Sequence, residues 1–143
     1  MKTAASFCLP CTGKIKILVV EDEPTIGMMM ACLLTDAGCR VEVVRDSETA
    51  LRLARDGKFD LIAIDLVLPG ISAFEFCGRL KQNVRLRDLP FLFVAGSADE
   101  EDRRRAFALG AVDYIIKPFY LADFVSRVLS HTGIKTSCIG FSS

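Results

Sequence analysis

"KIKILVVEDEP", residues 14–24, is an apolar run that stops in three consecutive acids. Ile15, Ile17, Leu18, Val19 and Val20 read as a short strand covered on both faces, the pattern of a parallel sheet. A strand that had only to turn would use Gly or Asn. Glu21, Asp22 and Glu23 repel one another instead, so solvent, a cation or a ligand must offset that repulsion.

Working outward, four more runs have the same character: "RVEVV" (40–44), "DLIAID" (60–65), "FLFVA" (91–95) and "VDYII" (112–116). Helical spacing separates them. Ile26, Met29, Met30, Leu33, Leu34 and Ala37 follow the i, i+3, i+4, i+7 pattern, and Gly38 ends it. Ala50, Leu51 and Ala54 mark a second helix closed by Gly57. Ala73, Phe76, Cys77 and Leu80 mark a third, with Ser72 as N-cap. The fourth runs from about Asp99 to Leu109, and Leu121, Phe124, Val125, Val128 and Leu129 mark the fifth. Five βα units predict an α/β, single-domain, three-layer sandwich with a parallel sheet in the flavodoxin-like order 2-1-3-4-5. Five units are too few for an eight-stranded barrel.

The chain has 143 residues, 51% hydrophobic and 25% charged, which suits one globular domain. Eighteen basic residues balance eighteen acidic ones, so no global field steers the chain to nucleic acid or an anionic membrane. No stretch approaches the roughly twenty apolar residues of a membrane span. Residues 1–13 are expected to be a flexible leader and residues 132–143 a tail too short for an output domain, on a cytoplasmic protein. Cys8 and Cys11 form a C-x-x-C, but a structural zinc site needs four ligands and the one histidine, His131, is distant in sequence. Cys32, Cys39 and Cys77 read as small buried hydrophobes.

In a sheet of this order the carboxyl ends of the first and third strands are neighbours, about 5 Å apart. Glu21, Asp22 and Asp65 should therefore converge, with Lys117 approaching from the far side. Such a set of hard oxygen ligands suits Mg²⁺. A carboxylate nucleophile beside a divalent cation and a lysine is equipped to accept a phosphoryl group. The bland alternative is a solvated acidic rim with a surface lysine.

Residues 15–130 resemble the receiver domains of two-component response regulators, a family with a CheY-like fold. "ILVVEDEP" resembles the family's first strand and acidic pair, "FDLIAIDLVLPGISAFEF" its phosphoacceptor segment, and "GAVDYIIKPF" its last strand and Lys-Pro. The resemblance implies a phosphoprotein rather than an enzyme. Asp65 would be the phosphoacceptor, supplied by a sensor histidine kinase or histidine phosphotransfer protein. Mg²⁺ would be held by Asp22, Asp65 and the Val67 backbone carbonyl, with Glu21 direct or through water. Lys117 would contact the phosphoryl group, its bond to Pro118 would be cis, and Tyr114 would be the aromatic switch position. Output would pass to a downstream protein or onward in a phosphorelay, from a stand-alone monomer or weak homodimer that binds neither nucleic acid nor membrane.

One position departs from the family pattern. Twenty-two residues before Lys117, where Thr or Ser is usual, stands Ala95, which has no hydroxyl to donate. Ser97 is the nearest substitute. Ala95 leaves open a pseudo-receiver, an interaction module whose output ignores phosphorylation. Ala73, where a glycine is common, is a milder departure. Two other classes fit poorly: an aspartyl phosphohydrolase resembles D-x-D-x-T after the first strand, and a flavin-binding domain wants a Ser/Thr/Gly-rich loop there. "DEEDRRR" (99–105) reads as a solvated helix whose acids lead and arginines follow. Met28 lies off the core stripe with Cys32 and Thr35, and in the family this helix meets the phosphotransfer partner, so Met28 is a contact candidate.

Overall fold

The computed structural model describes residues 15–96 and 98–132. The leader with Cys8 and Cys11, Ser97, and the tail from residue 133 lie outside the described residues. Ten elements alternate along the chain. They are β1 (Lys16–Val20), α1 (Pro24–Asp36), β2 (Arg40–Val44), α2 (Ser47–Asp56), β3 (Leu61–Asp65), α3 (Ala73–Gln82), β4 (Phe91–Ala95), α4 (Glu100–Ala108), β5 (Asp113–Ile116) and α5 (Leu121–Ser130). The sheet is parallel in the order β2-β1-β3-β4-β5, as the spacing predicts.

Strand alternation splits the interior into two layers. Ile17, Val19, Ala63, Leu92, Val94 and Ile115 face α1 and α5, where they meet Met30, Leu34, Phe124 and Val128. Leu18, Val20, Ile62, Ile64, Phe93, Ala95 and Tyr114 face the other side, against Ala50, Ala54, Phe76, Leu80 and Ala106. β1, β3 and β4 are buried almost throughout because both faces are covered. β2 is the exception: as an edge strand it leaves Arg40, Glu42 and Val43 exposed, which its apolar run did not announce.

Capping follows the local chemistry. Glu23 caps α1 ahead of Pro24, Asp46 caps α2, Ser72 caps α3 as expected, and Asp99 caps α4. After α1 the chain turns through Gly38 at φ 100°, a left-handed conformation that glycine adopts without a Cβ clash. α4 buries only Ala106. Its arginines rest on aromatic faces, Arg105 4.2 Å from the Phe74 ring centroid and Arg103 5.4 Å from that of Phe107. Within this helix Arg104 pairs with Glu101 at 4.0 Å, so the solvated-helix reading holds with stacking added to it.

Three side chains depart from the sequence expectation. Met29 and Leu121 are exposed rather than core, because each sits at the margin of its helix's buried stripe. Cys32 is exposed on α1, whereas Cys39 and Cys77 are buried as expected. No helix among the described residues is long and apolar enough to cross a membrane.

Candidate functional site

Three strand ends build the site. Past β1 the backbone stays in register for one more residue, the Glu21 N–H donating to the Val44 carbonyl at 2.9 Å. That continuation turns the Glu21 side chain inward, and it is 1% exposed. It passes beneath α1 at Gly27, where a Cβ would lie 3.6 Å from the Glu21 Cβ and 3.2 Å from a Val43 methyl. Gly27 was not singled out from the sequence. A glycine inside a helix costs about 1 kcal/mol relative to Ala, which is the signal that would have marked it.

Asp65 closes β3 beside Val94 of β4, and the Leu66 N–H extends the pairing by donating to the Val94 carbonyl. Asp65 is 8% exposed, and its Oδ1 accepts the Val67 N–H at 3.3 Å. Lys117 follows β5, and its N–H donates to the Ala95 carbonyl at 2.7 Å. From there its ammonium reaches back across the end of the sheet. Nζ lies 3.5 Å from Asp65 Oδ2 and 3.5 Å from Glu21 Oε1. The Lys117–Pro118 bond is cis.

Burial raises the Glu21 carboxyl from 4.5 to about 7, with its hydrogen bond to Asp65 adding to the effect. The Asp65 charge acts in the same direction. The Glu23 N–H, donating to Glu21 Oε2 at 3.1 Å, and Lys117 act against it without prevailing. Once Glu21 ionises, two carboxylates face a single ammonium in a mostly buried pocket, an excess negative charge that a cation would relieve.

Not every expected member sits inside. Asp22 is exposed at the rim, and Val67 is exposed to 77% beside Asp65. Among the described residues, no three His, Cys, Asp or Glu side chains form a ready cage for a metal. Buried Glu21 and Asp65, rim Asp22 and a backbone carbonyl still match the chemistry of Mg²⁺. That ion is usually held by one or two carboxylates and keeps several waters. Ala95 and Tyr114 share one face of the sheet, both inside. The Tyr114 ring is 2% exposed, and its hydroxyl has no hydrogen-bond partner among the described residues. Met28 is exposed to 67% on α1.

Comparison with known proteins places these features in a family. The model of the response regulator receiver domain matches residues 17–129. The transcriptional activator protein IrlR of Burkholderia pseudomallei is 40% identical over 116 residues, covering 81% of this chain and 49% of that protein. The phosphate regulon regulator PhoB of Escherichia coli is 37% identical over 113 residues, with 79% and 49% covered. The chain thus spans about half the length of these curated relatives. Among solved structures, the non-phosphorylated HemR receiver domain of Leptospira biflexa superposes with a TM-score of 0.76 at 34% identity, covering 85% of this chain and 96% of that one. The receiver domain of the sensor histidine kinase PA1611 of Pseudomonas aeruginosa, with a magnesium ion coordinated in its active-site cleft, gives 0.78 at 28% identity, covering 86% and 100%.

Proposed function

This chain belongs to the response regulator receiver domain family, and on that premise we propose that Asp65 accepts a phosphoryl group from a phosphohistidine donor. The observation that carries this reading is the Lys117 ammonium, 3.5 Å from carboxylate oxygens of both Asp65 and Glu21 at the carboxyl end of the sheet. A carboxylate oxygen of Asp65 attacks phosphorus, the P–N bond to the donor imidazole breaks, and the imidazole leaves with the electron pair. Lys117 then meets the transferred phosphoryl oxygens and gives up part of its pairing to Asp65. The Val67 N–H orients the nucleophile through Oδ1.

Glu21, Asp22, Asp65 and the Val67 carbonyl would hold Mg²⁺. The bound ion supplies neutralisation of charge on the carboxylates and the incoming phosphoryl oxygens. The magnesium ion in the PA1611 receiver domain and the crowded Glu21–Asp65 pair both support that role here. The donor would be a sensor histidine kinase or a histidine phosphotransfer protein, and the readout a contact with a downstream protein. The chain is a signalling module in this reading, not an enzyme.

Intact mass after incubation with a small phosphodonor tests the proposal, with Mg²⁺ or EDTA and with Asp65→Asn in parallel. A gain of one phosphoryl group that needs both Mg²⁺ and Asp65 is the expected result. No gain in a folded, Mg²⁺-binding chain would favour the pseudo-receiver instead. Ala95 and the unpartnered Tyr114 hydroxyl are the observations on that side.

A further inference from the structure

The segment 66–72 carries Val67 away from Asp65 and ends at the start of α3, and α2 grips its far end. Ser47 opens α2 and is completely buried, an unusual place for a hydroxyl. Its Oγ donates to the Ile71 carbonyl at 2.8 Å. One residue on, Glu48 closes over the same segment. A Cβ on Gly70, at φ 87°, would lie 3.3 Å from Glu48 Oε1. The near end is held separately, by the Leu66 N–H on Val94 and the Val67 N–H on Asp65. Between the Val67 N–H and the Ile71 carbonyl run only Leu68, Pro69 and Gly70.

We propose that Ser47 is a positioning residue that acts through this segment. Resting on the receiver reading, its hydroxyl sets where the Val67 peptide presents its N–H to Asp65 and its carbonyl to the cation. The helix itself does not need this bond. Asp46 already caps α2 through the Thr49 N–H and hydroxyl, at 2.7 and 3.0 Å. The Ser47 hydroxyl is spent on a carbonyl 24 residues away. Groups that orient metal ligands from behind commonly change metal affinity 10- to 100-fold when removed, whereas a loop clamp of purely structural value changes only stability.

The test follows phosphoryl gain at Asp65 against Mg²⁺ concentration in the full chain, and in parallel the Val67 amide signal during Mg²⁺ titration. In Ser47→Ala the half-saturating Mg²⁺ concentration should rise roughly tenfold. Ser47→Cys, which keeps a weaker donor on a slightly larger atom, should fall between, and it replaces the alanine variant if that chain does not fold. Asp46→Ala removes the helix cap but keeps the Ser47 hydroxyl, so its half-saturation should match the wild type. Half-saturation within twofold of wild type in both Ser47 variants overturns the positioning role, as does an equal rise in Asp46→Ala. A wild-type chain that gains no phosphoryl group and binds no Mg²⁺ overturns the receiver reading, and this inference with it.

Discussion

Glu21→Gln should remove the pH dependence of stability between pH 5 and 8. Folding lifts this carboxyl from 4.5 to about 7, burial first and the Asp65 carboxyl second. Between those values the folded chain keeps a proton that the unfolded chain releases. The stabilising contribution is therefore full below pH 4.5 and is lost as the pH rises through 7. The whole displacement corresponds to about 3 kcal/mol, of which about 2–3 kcal/mol falls between pH 5 and 8. Other displaced groups act outside this window. Asp46, held down by the Thr49 N–H, and Asp113, where burial is outweighed by Arg127, Tyr114 N–H and His131, lose their contributions only below 3.8. Burial raises Cys77 and Tyr114, which act above 9. With no tryptophan in the chain, far-UV circular dichroism in urea with EDTA is the suitable assay. The wild-type midpoint should fall by about 1 M or more from pH 5 to pH 8, and the glutamine variant's should stay nearly level. Saturating Mg²⁺ should reverse the wild-type slope, because the cation competes with the proton for the same carboxylates. Equal slopes in wild type and Glu21→Gln would refute the reasoning.

Ala95→Thr adds two heavy atoms to a fully buried position on the sheet face that Tyr114 occupies, so the ring should be displaced outward. In a Tyr120→Phe background Tyr114 is the one remaining tyrosine, and its fluorescence should become more quenchable by acrylamide in the threonine variant. That variant should also show a larger phosphorylation-dependent NMR shift than the wild type; equal shifts would mean that the hydroxyl missing at Ala95 does not limit the switch. Gly27→Leu should destabilise by about 1–3 kcal/mol in urea unfolding, since its first carbon already meets Val43 and Glu21. Met28→Glu puts a charge on an exposed apolar position of α1 and should slow transfer from the phosphohistidine donor without changing phosphorylation by a small phosphodonor. An unchanged transfer rate would remove Met28 from the contact surface.

Much of the fold was legible because each short apolar run ends where a helical period begins, and that alternation makes the sheet parallel; the strand order itself is not fixed by spacing. The site was legible for the same reason: strand ends in this order must bring residues 21, 65 and 117 together. Which of three consecutive acids turns inward was not. Glu21 and Asp22 look alike in sequence, and the deciding bond runs from the Glu21 N–H to Val44, on a different strand. Met29 and Met30 differ by one step of about 100° around a helix, enough to separate margin from core when the buried stripe is narrow. Ser47 reads as an ordinary first-turn residue until the path of residues 66–71 is known.

The way α4 is attached has a mechanical consequence. Helices α3 and α5 are moored by four buried side chains each and α1 by Met30 and Leu34, whereas α4 contributes a single methyl group from Ala106. Beyond that methyl, Arg105 lies on the Phe74 ring of α3, a contact that can slide or re-form with little loss, whereas Arg103 stacks on Phe107 of α4 itself. Resistance to deformation is therefore uneven around the sheet, and α4 is its compliant side. A small rearrangement at the end of β4 would find its least costly outlet there, leaving the other helices in place.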